Sequence, residues 1–134
     1  MREFVLNDSM VNMSGVFYPT GYAVVMFPSE EDCRATAAAL EQAGFSGDDV
    51  QHLSPATVFK EVSRTDKGNE EPMPSVGTES ATVRTFAALA RQGHHGLIVS
   101  ANSAEDAERV MEIVRRVPFS LAQKYRTLVI EDLN

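Results

Sequence analysis

Three short apolar runs punctuate the chain: Tyr22-Ala-Val-Val-Met-Phe27, Gly96-Leu-Ile-Val-Ser100 and Thr127-Leu-Val-Ile-Glu131. Their length and β-branched content predict a buried strand at each. Apolar residues elsewhere recur at helical spacing. Cys33, Ala37, Leu40 and Ala43 form one stripe behind Ser29-Glu-Glu-Asp32, where the serine can cap a free amide and the acidic first turn suits the helix dipole. Gly44 is placed to end that helix. Ser103-Ala-Glu-Asp106 repeats the opening, and Ala107, Val110, Met111, Val114 and Val117 repeat the stripe as far as Pro118. Asp49-Val-Gln-His-Leu53 reads as a further, only partly apolar strand. Ser54-Pro55 opens a helix over 55–65 whose apolar side is Val58, Phe59 and Val62. A third helix, 78–92, carries Val83, Phe86, Ala87 and Ala90 and stops at Gly93.

Two segments lack a period. Residues 1–20 mix apolar and polar positions and end in the turn signal Tyr18-Pro-Thr-Gly21, which makes them an arm, either loose or packed on a neighbour. Residues 64–77 are charged and rich in Pro and Gly, the composition of a mobile loop. The domain reading is therefore an arm at 1–20 followed by a single α/β domain at 21–134.

An internal likeness organises the elements. Residues 22–46 and 96–120 align without a gap at a shift of 74, with Ser29 over Ser103, Glu31-Asp32 over Glu105-Asp106, and Phe45-Ser46 over Phe119-Ser120. Two such strand–helix units, each followed by a second strand, make two βαβ halves. Right-handed crossovers then put both helices on one face of the sheet. The expectation is a ferredoxin-like α/β (α+β) fold with a four-stranded, mostly antiparallel sheet and two extra helices inserted between the halves.

Strands with one wet face should alternate, yet Ala23–Met26 and Leu97–Val99 are continuously apolar. Something must cover the second face of the sheet. The arm, bearing Phe4, Val5, Leu6, Val16, Phe17 and Tyr18, carries more apolar surface than a free tail should expose. The expectation from this is a homodimer, by arm exchange or sheet-to-sheet contact. Its competitor is a monomer completed by arm and inserted helices.

Composition narrows the setting. A 134-residue chain, 43% apolar, can bury a core without metal or disulfide support. The single cysteine, Cys33, excludes an internal disulfide and suits a reducing compartment. Charged residues interrupt the N-terminal apolar run, and no apolar stretch nears the roughly 20 residues that span a bilayer, so a cytoplasmic protein is expected. A formal charge of −7 opposes nucleic acid and anionic membranes.

The C-terminal segments Ala87-Ala-Leu-Ala-Arg-Gln-Gly93, Gly96-Leu-Ile-Val99, Ala104-Glu-Asp-Ala-Glu-Arg-Val-Met111 and Ala122-Gln-Lys-Tyr125 before Leu128-Val-Ile-Glu-Asp-Leu133 resemble a family of uncharacterised bacterial proteins. Ser54-Pro-Ala56 and Gly77-Thr-Glu79 fit the same pattern. The first strand–helix unit is distantly similar to the YflT-type heat-induced stress-protein domain. The resemblance spans about residues 20–133 and implies a fold and a bacterial cytoplasmic setting. It brings no catalytic residue, and Asp132 stands where that family tends to have Glu.

Candidate chemistry is sparse. His94 and His95, entering a strand, point to opposite faces and cannot chelate one ion together, although one of them could join His52 and a carboxylate if the fold brought them together. These three histidines are the metal candidates. Asn102 and Ser103, at a strand-to-helix junction, are candidates for holding an anionic ligand on free amides. Cys33 sits near a helix start but among Glu30, Glu31 and Asp32, which favours a packing role. Lys124, Tyr125 and Arg126 form a small basic, aromatic spot without the sheet aromatics that RNA binding needs. No catalytic, phosphate-loop or zinc-protease motif is present. The expectation is a non-enzymatic binding or assembly module without cofactor or catalytic residue, linked to stress response through the resemblance. The alternative is a small-molecule sensor with its ligand at a subunit interface, and a small enzyme comes third.

Overall fold

In the computed structural model, which describes residues 1–65, 74–127 and 129–134, the elements follow as β1 (Arg2–Glu3), β2 (Tyr22–Phe27), α1 (Glu30–Gln42), β3 (Val50–Leu53), α2 (Pro55–Thr57), α3 (Pro74–Arg91), β4 (His95–Ser100), α4 (Ala104–Val114), β5 (Leu121–Tyr125) and β6 (Ile130–Asp132). The class is mixed α/β. The sheet has six strands in the order β1-β3-β4-β2-β5-β6 rather than the four expected. Its four inner strands pair antiparallel, β5 pairs β6 antiparallel, and β1 lies parallel to β3.

The two added strands lie in segments where no strand was expected. β1 is two residues of the arm. At the other edge, the strand expected at Thr127–Glu131 is replaced by β5 and β6. The Ser120 amide donates to the Met26 carbonyl at 2.8 Å, seating the chain beside β2 directly after Pro118, so Leu121 already pairs with Met26. Pairing therefore begins in the alternating stretch Leu121–Tyr125. The β-branched run behind it is split by a turn in which the Arg126 amide donates to the Val129 carbonyl at 2.8 Å.

The helix starts follow the sequence chemistry. Ser29 Oγ accepts the Asp32 amide at 3.2 Å and Ser103 Oγ accepts the Asp106 amide at 3.0 Å. Ser54 caps α2, which continues as a π-turn over Val58–Val62 and a 3-10 turn over Ser63–Thr65, so helical backbone covers the whole predicted 55–65. Helix α3 begins at Pro74 rather than 78. Of the mobile loop expected at 64–77, residues 66–73 lie outside the described residues.

Each face of the sheet carries its own core. On one, Ala23, Val25, Phe27, Leu97 and Val99 pack against Cys33, Ala37 and Leu40 of α1 and Val110, Met111 and Val114 of α4. On the other, Val24, Met26 and Ile98 are covered by Phe4, Met10, Val16 and Phe17 of the arm, Val58 and Val62, and Val83, Phe86 and Ala90 of α3. The second face is thus closed within the chain, by the arm and inserted helices together. Burial of this face therefore does not itself call for a second copy. Strands β2 and β4 lie close: a Cβ on Gly96 would sit 2.5 Å from Met26 Sδ and 3.0 Å from the Val25 carbonyl oxygen, so any larger residue there would have to displace the Met26 side chain.

Candidate functional site

The alternation of a strand places His52 and His95 on the same face. His52 is opposite Leu97, two residues beyond His95, and all three side chains face the α1 side. The imidazole planes lie 10° from parallel with ring centroids 5.2 Å apart, and His52 Nε2 lies 3.0 Å from His95 Nδ1, so the rings meet edge to edge. A carboxylate closes each end. Glu3 Oε1 is 2.7 Å from His52 Nδ1, and Glu30 Oε1, on the first turn of α1, is 3.7 Å from His95 Nε2. The side chain of His52 is buried and that of His95 nearly so, while both carboxylates reach solvent.

Donor and acceptor chemistry fixes the protons in the neutral pair. A carboxylate only accepts, so His52 Nδ1–H donates to Glu3 and His52 Nε2 is left as an acceptor. His95 Nδ1–H then donates to it, and the lone pair on His95 Nε2 faces Glu30. Glu3 is a hub as well as an end. It also accepts from the Ser54 amide at 3.2 Å, from Ser54 Oγ at 2.9 Å and from the Thr57 hydroxyl. Burial opposes its ionisation, but the donors Thr57, Ser54 and His52 outweigh that and hold Glu3 below the ordinary carboxylate value. Burial likewise disfavours the imidazolium of His95; Glu30 acts in the opposite direction, and the net displacement is downward. Glu30 is held low first by its hydrogen bond to Arg34 and then by His95.

The other candidates lie elsewhere. His94 turns away from its neighbour, as strand geometry requires, and its Nδ1 meets Ser120 Oγ at 2.9 Å. Asn102 and Ser103 are beyond the opposite end of β4, where the Ser103 hydroxyl is spent on capping α4. Cys33 is fully buried, its thiol set against the Gly96 carbonyl at 3.6 Å and pushed up to about 12, chiefly by burial. Tyr125 belongs to the core of the arm face, with Tyr18 at 5.1 Å in an edge-on contact. Lys124 is buried and opposite Glu131, with no ion pair among the described residues. Nor do the described residues contain a group of three or more His, Cys, Asp or Glu able to hold a metal ion.

Sequence reasoning missed Glu3 and Glu30 as members of the cluster. Glu30 was legible only as an acidic first-turn residue, and Glu3 lies in a segment without a period. Comparison with protein-family models, with curated proteins and with solved structures finds no match to this chain. No described helix is long and apolar enough to cross a membrane.

Proposed function

We propose that this chain is a non-enzymatic binding or assembly module of the bacterial cytoplasm, built on a ferredoxin-like frame. The frame is supported by the order β3-β4-β2-β5, in which each half runs strand, helix, strand and both helices lie on one face. The role in stress response follows from the family resemblance and stands with it. One observation carries the non-enzymatic reading: the reactive side chains serve the fold. The Cys33 thiol is sealed in the core, His94 is tied to Ser120, and His52 binds the arm through Glu3. Thiol labelling of the native protein at neutral pH tests this. Modification of Cys33 should wait for unfolding, and fast labelling of the folded protein defeats the reading.

An assembly role no longer needs an open sheet face, so the homodimer rests on exchange of the arm between copies. Sedimentation equilibrium at micromolar concentration measures it: a single species at the 14.7 kDa chain mass removes the dimer. A ligand-sensing role has an observation of its own, a cleft of about 300 Å³ lined by Ser63, Val83, Arg84, Ala87 and Arg91. It lies on α3 within one chain, whereas the sensor expected from sequence binds between subunits. The Arg91 guanidinium would suit an anion of metabolite size. Thermal-shift measurements with anionic metabolites separate the roles, since a shift abolished by Arg91→Ala favours the sensor.

A further inference from the structure

We propose that His52 and His95 form a proton-operated switch, in which His95 leaves β3 for helix α1 once the pair has taken up two protons. The geometry favours one arrangement of the neutral pair, with Nδ1–H on both rings, which leaves only His95 Nε2 unsatisfied, its lone pair facing Glu30. A first proton has one place that preserves it. On His95 Nε2, it keeps the His95 Nδ1–H bond to His52 and directs a new N–H at Glu30 Oε1, 3.7 Å away. On His52 Nε2 the same proton would set N–H against N–H across 3.0 Å. A second proton can enter only there. It destroys the acceptor that holds His95 and leaves two cationic rings with centroids 5.2 Å apart.

The charged groups around the pair decide which ring moves. From β1, Glu3 holds His52 and is itself fixed by Ser54 and Thr57, so His52 stays. From α1, Glu30 faces His95. Arg34 occupies Glu30 Oε2, at 2.9 Å from Nε and 2.8 Å from Nη2, and leaves Oε1 to the imidazolium. The same turn also carries the carboxylates of Glu31 and Asp32, and its Cys33 thiol, pushed up to about 12 by burial, stays protonated throughout the range. Proton uptake therefore exchanges a bond between β3 and β4 for an ion pair between β4 and the start of α1, while β1 remains docked.

Nitrogen NMR of the imidazole rings in the intact protein, titrated from pH 8 to pH 4, tests the switch. Both rings should be Nδ1–H tautomers at neutral pH, with a coupling across the His52–His95 hydrogen bond. The pair should take up its protons in two steps, separated by roughly tenfold or more in proton concentration. The coupling should survive the first step and vanish in the second, with the Phe4 amide, which donates to the His52 carbonyl at 2.9 Å, still protected from exchange. In Glu30→Gln the first step should move to more acid pH. An Nε2–H tautomer on either ring at neutral pH overturns the proposal, as does simultaneous protonation of the two rings. Global loss of dispersion before the second step also overturns it, because the pair is then only a structural staple.

Discussion

The two faces of the central sheet solve the same problem with different materials. On the α1 and α4 face, mostly small and aliphatic side chains, with Phe27 and Phe45 among them, meet two regular helices with serine caps. On the other face the cover is an arm, a π-turn and α3, and its centre is aromatic. Phe17 makes edge-on contacts with Phe4 at 5.9 Å, Phe86 at 5.9 Å and Tyr125 at 6.1 Å. Regular helices satisfy their own backbone, whereas an irregular cover must borrow side chains to do so. Asn12 Oδ1 accepts the amides of Ser14 at 2.9 Å and Val16 at 3.0 Å, and the Thr65 hydroxyl accepts the Phe17 amide at 2.9 Å. One face is held by periodicity and the other by a few anchors.

Removing residues 1–20 attacks that difference most directly. It exposes Val24, Met26 and Ile98 and takes away Phe4, Met10, Val16, Phe17 and Tyr18 together. The truncated chain should lose cooperative unfolding and bind a hydrophobic dye; a truncated chain with a sharp native-like melt would show that the arm is ornamental. Single substitutions give the same comparison at finer scale. Phe17→Ala should cost about 3–5 kcal/mol and Leu40→Ala, on the helix face, about 2–5 kcal/mol, read from urea midpoints. The anchor account requires Phe17→Ala to be at the upper end, because three rings lose their common partner.

This contrast also governs what the sequence discloses. The helix face was legible because its pattern is periodic: Ser29 and Ser103 announce the starts, and the stripes Cys33–Leu40 and Ala107–Val114 face the sheet as the spacing predicts. That both faces of β2 and β4 are buried was also legible, from runs without alternation. The identity of the second cover was not. An arm that pairs through two residues has no period to detect, and the choice between folding back and joining another copy rests on chain geometry rather than composition. The histidine cluster was half legible. The sequence separates His94 from His95 by strand alternation and offers His52 as a companion, but the joining of β1 to β3 and of α1 to β4 supplies the carboxylates.

Acid should find the polar cluster on the helix face. Because His95 is harder to protonate in the folded chain, the unfolded chain binds more protons below about pH 6.5, its ordinary value, and stability falls as pH drops through that range. Glu3 is shifted down too, so its contribution is complete above its ordinary value of about 4.5 and is lost below it. Urea midpoints should decline from pH 7 in two stages. In His95→Phe the upper stage should vanish, and its persistence would assign it to another group.

The smallest effects are the most discriminating, because they isolate one backbone amide on each face. Ser29 Oγ satisfies the Asp32 amide at a half-exposed helix start, where water can replace the lost acceptor, so Ser29→Ala should cost about 1 kcal/mol. Thr65 Oγ1 satisfies the Phe17 amide in a buried seam and also donates to the Val62 carbonyl at 2.7 Å. Thr65→Val keeps the shape but leaves two backbone groups without partners where water does not reach, and should cost about 1–3 kcal/mol. Hydrogen exchange adds a second reading. Loss of the Ser29 cap should speed exchange only in the first turn of α1, since helix ends fray locally. Loss of Thr65 should speed exchange from the Phe17 amide through the hairpin at Val11–Phe17, because an isolated bridge closes that hairpin and the arm's pairing with β3 lies well upstream, at Arg2–Glu3. Equal costs with exchange confined to one residue in each variant would mean that the arm is as locally self-sufficient as a helix, and the distinction between the two faces would fail.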